Sequence, residues 1–97
     1  MKKIIMLTSL AATMSWSAYF DNSVDRWESD CKYDISHGCS IAGSMYIRGN
    51  YEDANTGKIV KISGSKKERM KKAEKLLKKG CSLGSKKACM EYKKYFK

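Results

Sequence analysis

Four cysteines, one histidine and two Ser-x-x-Lys strings are the residues of this chain with the means to do chemistry. Cys31 and Cys39 stand eight positions apart, and so do Cys81 and Cys89. Zinc ligation would want a closer Cys-x₂₋₄-Cys spacing with further ligands. Here seven residues intervene in each pair, with only His37 nearby. Thiol redox catalysis would want Cys-x-x-Cys at a helix start, where the thiol pKa falls, and the chain has none. Structural disulfides need only an oxidising compartment and reachable geometry, and the repeated spacing favours them. We therefore expect no metal and no cofactor, and we read His37 as a surface turn residue. The strings Ser29–Lys32 and Ser63–Lys66 have the spacing of a serine acyl-transfer nucleophile and its lysine. That chemistry also needs Ser-Asp-Asn and Lys-Thr-Gly motifs, which are absent. In a chain rich in Ser and Lys such strings arise by chance, so no catalytic residue is assigned.

The elements that position these residues begin after the leader. Residues 1–18, MKKIIMLTSLAATMSWSA, combine two lysines, an apolar run and small residues, the layout of a secretory signal peptide. The apolar run falls short of the roughly 20 residues a membrane span needs. The expected mature domain is 19–97, exported and either periplasmic or secreted. Export allows disulfides, and a chain of about 80 residues has a marginal core that staples support. With no proline and much Lys, Glu, Ala and Leu, the composition leans helical. Charge divides sharply. Residues 19–53 carry three basic and seven acidic groups, net −4; residues 54–97 carry fifteen and three, net +12.

Four helices are predicted. The first runs over 23–34, capped by Asn22 or Ser23, with Val24, Trp27 and Cys31 on one face. After an Ile-Ser-His-Gly turn the second runs over 38–48. It presents Cys39, Ala42, Gly43 and Tyr46 and stops at Gly49. Residues 50–64 form a connection or short hairpin with an Asn-Thr-Gly turn. The third helix opens with a capping box, Ser65 to Glu68. Its apolar stripe is Met70, Ala73, Leu76, Leu77 and Cys81. Ser85 caps the fourth, with Ala88, Cys89, Tyr92, Tyr95 and Phe96 on one side. Trp27, Tyr46, Tyr92, Tyr95 and Phe96 read as core aromatics, while Tyr33 and Tyr51 fall off the stripes and read as exposed contacts. Each cysteine pair links the last turn of one helix to the first turn of the next. That pairs Cys31 with Cys39 and Cys81 with Cys89, each closure contributing roughly 2–3 kcal/mol. The fold class expected is all-α, two antiparallel helical hairpins, each clamped by a disulfide.

Lys72–Cys89, KAEKLLKKGCSLGSKKAC, resembles the Sel1-like repeat. More narrowly it is similar to the secreted cysteine-rich proteins of Helicobacter and related bacteria. Lys72-Ala73, Lys79-Gly80-Cys81, Leu83-Gly84 and Ala88-Cys89 match the repeat's landmarks, and upstream Cys39, Ala42, Gly43 and Tyr46 match its Cys-x-x-Leu-Gly-x-x-Tyr helix. The likeness covers Trp27 to Phe96. It departs at Ala42, where leucine is usual, and in the last helix, which lacks Leu-Gly and looks like a C-terminal cap. The resemblance implies a TPR-like α/α solenoid and a role in protein–protein interaction. Family members often carry the name β-lactamase, and some are described as binding penicillin and weakly hydrolysing β-lactams.

The lysines complete the reading. Lys71, Lys75, Lys78, Lys86 and Lys87 are either a solvated face or the site of an anionic partner, an acidic protein surface or envelope lipid headgroups. Nucleic acid is not expected for an exported, arginine-poor chain. The leading expectation is a protein-binding module of the cell envelope or extracellular space. Its rivals are a weak β-lactam hydrolase, by resemblance alone, and an envelope immunity or stress factor.

Overall fold

The computed structural model describes residues 20–96; the expected leader, 1–18, lies outside them. Helices α1 (Val24–Lys32), α2 (Ser36–Arg48), α3 (Lys66–Ser82) and α4 (Lys86–Phe96) are joined by a two-stranded sheet, β1 (Asn50–Glu52) and β2 (Ile59–Lys61), between α2 and α3. The protein is mostly helical, as expected, and the small sheet falls within 50–64, where a connection or short hairpin is expected.

Serines start three helices. Ser23 Oγ accepts from the Arg26 N–H at 3.4 Å, Ser65 Oγ from the Glu68 N–H at 3.2 Å and Ser85 Oγ from the Ala88 N–H at 3.2 Å. Each bond satisfies a backbone donor that a helix start leaves unpaired. Among the described residues Glu68 does not bond back to Ser65, so only half of the expected capping box forms. α2 starts at Ser36, two residues early, and its N-cap Ile35 has no side-chain bond to give.

The helix-to-helix turns share one chemistry. After α1, Ile35 N–H donates to Asp30 O and Asp34 N–H to Cys31 O, both at 3.0 Å. After α3, Ser85 N–H donates to Gly80 O at 2.9 Å and Gly84 N–H to Cys81 O at 3.0 Å. This is the 6→1 and 5→2 closure of a Schellman motif, repeated at an offset of 50 residues. It demands a left-handed residue. Gly84 takes φ 101°, and Asp34, the lone non-glycine with positive φ among the described residues, takes 66°. Disulfides Cys31–Cys39 and Cys81–Cys89 close the two turns, each with Cα atoms 4.5 Å apart.

Packing centres on α2, which lies against both α1 and α3. Val24, Ala42, Met45, Tyr46 and Ala73 form the buried cluster. Small residues set the helix spacing. A Cβ at Gly43 would lie 2.6 Å from Leu77 Cδ2, and one at Gly80 would lie 2.9 Å from Cys39 Cβ and 3.0 Å from Ala88 Cβ. The aromatics depart from expectation at two places. Tyr95 is 45% exposed, because it borders an open groove between α4 and α2 instead of packing into the interior. Tyr51 sits on β1 and packs half-buried against the core.

The hairpin pairs Asn50 with Lys61, Tyr51 with Val60 and Glu52 with Ile59. Two asparagines fasten the segment before α1 to it. Asn55 accepts from Phe20 N–H at 3.1 Å and donates to Phe20 O at 2.6 Å. Asn22 accepts from Ala54 N–H at 2.9 Å and donates to Glu52 O at 2.6 Å.

Two outcomes follow. Gly43→Ala forces a methyl into fully buried Leu77 and is expected to lower stability by about 1–3 kcal/mol in urea denaturation. Cys31 and Cys39 are 2% and 0% exposed, whereas Cys81 and Cys89 are half-buried. In graded reductant with alkylation mapping, Cys81–Cys89 therefore opens first, because exchange requires access to the sulfur.

Candidate functional site

α3 buries Ala73, Leu77 and Gly80. At 100° per residue this turns Lys71, Lys75 and Lys78 outward, at spacings of four and three, into one stripe. All three are exposed, as are Lys86 and Lys87 in the first turn of α4. That turn holds no acidic residue. It sets two cations at the positive end of a helix, a placement that costs roughly 0.3–1 kcal/mol per charge. Among the described residues the one ion pair is Lys79–Asp34 at 3.1 Å, so none of the five candidate lysines has an internal carboxylate at ion-pair distance. They do not converge on a single point. Lys71 and Lys75 border one shallow depression with Lys72 and Glu74, Lys87 lines a groove beside α2, and Lys78 and Lys86 stand apart on the surface.

Arginine is used differently. Arg26 stacks between Phe20 and Trp27, 4.9 and 4.8 Å from their ring centres, and donates to Asp21 O at 2.7 Å. Arg69 donates to Tyr46 O at 2.9 Å. Two of the three arginines thus serve the fold. The outward charge is chiefly lysine, which offers a mobile point charge rather than a fixed fork.

Two grooves flank the helices. The α2–α4 groove, about 300 Å³, is lined by Ile41, Ile47, Arg48, Lys87 and Tyr95, and in it Ser44 Oγ donates to the Glu91 carboxylate. The α1–α3 groove, about 240 Å³, is lined by Glu28, Cys31, Lys32, Lys75, Leu76 and Lys79. Neither exceeds the lower bound, near 300 Å³, of small-molecule pockets. The Ser44–Glu91 pair was not legible in the sequence, since its members lie 47 residues apart. A carboxylate without an imidazole or amine between is a poor base for a serine hydroxyl, so the pair reads as a bridge between helices. Of the Ser-x-x-Lys strings, Ser29, Lys32, Ser63 and Lys66 are exposed with no bond between serine and lysine in either string, and Ser65 caps α3. His37 is exposed, edge-on to Trp27 at 5.7 Å. Among the described residues no three His, Cys, Asp or Glu side chains gather as a metal site.

Tyr46 is a buried polar side chain of α2 held on two sides. It is 4% exposed, donates to Glu28 Oε1 at 2.6 Å and carries Lys72 Nζ 5.4 Å from its ring centre. Burial first, then the bond to Glu28 and its charge, push its pKa well above the ordinary tyrosine value.

No family model, curated protein or solved structure matches the chain. Two disulfides suit an oxidising, exported environment. No helix among the described residues is long and apolar enough to cross a membrane.

The raised Tyr46 pKa carries a pH signature. A group that holds its proton more tightly when folded contributes stability fully present below the unfolded pKa, about 10, and lost as pH rises toward the folded one. Tyrosinate absorbance should therefore show Tyr46 titrating only as the protein unfolds in alkali, apart from Tyr51, which burial and then nearby carboxylates also push up. In Tyr46→Phe that late component disappears, and stability at neutral pH falls by about 1 kcal/mol for the lost buried hydrogen bond.

Proposed function

We propose that this protein is an exported binding module, residues 19–97 released from a leader at 1–18. In this reading two disulfide-clamped antiparallel hairpins stack as a minimal Sel1-like, TPR-like α/α solenoid. The identical turn chemistry at a 50-residue offset supports the repeat. The partner is an envelope or extracellular protein with an acidic surface. The observation that carries this is the exposed lysine stripe Lys71, Lys75 and Lys78, whose ammonium groups have no carboxylate of their own among the described residues. Such a stripe raises the encounter rate with a negative surface and is screened within about 8–10 Å by physiological salt.

Immobilised oxidised protein should retain an acidic envelope protein at low salt and release it as salt rises. With that partner, K71A/K75A/K78A is expected to associate about tenfold more slowly at low salt while its dissociation rate changes little, the signature of steering charges. An association rate unchanged at low salt contradicts the reading. Incubation with a labelled penicillin should add no covalent mass; a stable adduct would instead favour the hydrolase suggested by the family likeness.

A further inference from the structure

The α1–α3 groove brings together residues from the acidic and basic halves of the chain. Lys32 of α1 and Lys75 of α3 line it, 43 positions apart in sequence, with Leu76 and Cys31 as apolar lining. One carboxylate lines it against three lysines: Glu28 Oε1 accepts from the neutral Tyr46 hydroxyl at 2.6 Å, and of the lysines Lys79 is held by Asp34 at 3.1 Å. Lys32 and Lys75 therefore face the groove exposed, with no carboxylate at ion-pair distance among the described residues. Leu76 is half-buried and Cys31 is buried in its disulfide, which gives two free ammonium groups beside a patch of hydrocarbon and sulfur. The 240 Å³ volume is below the roughly 300–1,000 Å³ of sites that enclose a small molecule; it suits one side chain of a larger partner. Lys75 belongs both to this groove and to the outward stripe with Lys71 and Lys78. An acidic surface lying along the stripe thus reaches the groove at its edge.

We propose that the α1–α3 groove is the specificity subsite of the docking surface. It takes an aliphatic side chain flanked by carboxylates, from an acidic segment of a partner protein, with the aliphatic group on Leu76 and the carboxylates at Lys32 and Lys75. The proposal rests on the reading of the protein as a module for an acidic partner and adds what that partner presents. Charge along the stripe sets encounter, and the apolar anchor in the groove sets selection among acidic surfaces.

The test is an NMR titration of the oxidised exported protein with two blocked peptides of equal charge, Ac-DLED-NH₂ and Ac-DGED-NH₂. The leucine peptide should shift the Leu76 methyl signals and the side chains of Lys32 and Lys75, and should bind more tightly than the glycine peptide. Lys32→Ala and Lys75→Ala should each weaken it about two- to fivefold, the range of an exposed ion pair. Lys58→Ala, on the exposed hairpin, should leave it unchanged. Helical circular dichroism confirms that each variant is folded. Equal binding of both peptides, with shifts spread over every lysine, overturns the subsite and leaves charge-steered docking standing. Absence of any shift with either peptide overturns both. Shifts at Leu76 from phosphatidylglycerol vesicles but not from the leucine peptide, or from raised protein concentration alone, also overturn the proposal by assigning the groove to a lipid or to a second copy.

Discussion

Everything in this molecule depends on the contact at Gly80. There α3 comes so close to α2 and α4 that an added Cβ would lie 2.9 Å from Cys39 Cβ and 3.0 Å from Ala88 Cβ. Cys39 belongs to the first disulfide and Ala88 precedes Cys89 of the second. The two tied turns therefore meet through one residue without a side chain. Each turn is closed twice, by backbone bonds and by sulfur. The disulfide limits the unfolded chain, while the backbone bonds satisfy carbonyls the helix end would leave unpaired. A core of nine buried apolar residues among those described, five of them cysteine or alanine, needs such restraint.

The same geometry explains the surface. Because α3 gives its small and aliphatic residues to the interior, its lysines have only one direction to face. Three of the seven acidic residues in 19–53 are turned to other work. Glu28 holds Tyr46, Asp34 holds Lys79, and Asp21 accepts from Ser23 N–H, a bond that keeps its carboxyl below the ordinary aspartate value. The charge imbalance written in the sequence is thus left unneutralised in the fold. It is this residue of positive charge, more than any catalytic constellation, that distinguishes the surface.

Local chemistry was legible from the sequence. The caps Ser65 and Ser85, the choice of Asn22 or Ser23 that Ser23 fills, the stop at Gly49 and the cysteine pairing all follow from neighbours a few residues apart, where backbone donors and side-chain reach decide the outcome. Long-range placement was less legible. Asp34 in a left-handed turn could not be read, since glycine holds the equivalent place after α3. The helical wheel sent Tyr95 inward, but a wheel does not show that the space between α4 and α2 stays open as a groove. Tyr51 escaped because it lies on a strand, with a period of two rather than 3.6. The grooves escaped altogether: Lys32 meets Lys75, and Ser44 meets Glu91, across more than forty residues of sequence.

The most direct test of the account is an intact mass and peptide map of the protein isolated without reduction. The account predicts a chain four hydrogens lighter than its reduced form, yielding Cys31–Cys39 and Cys81–Cys89 peptides and no others. Free thiols, or a bond joining a cysteine of the first turn to one of the second, would contradict it, because the two turns would then not be separately closed.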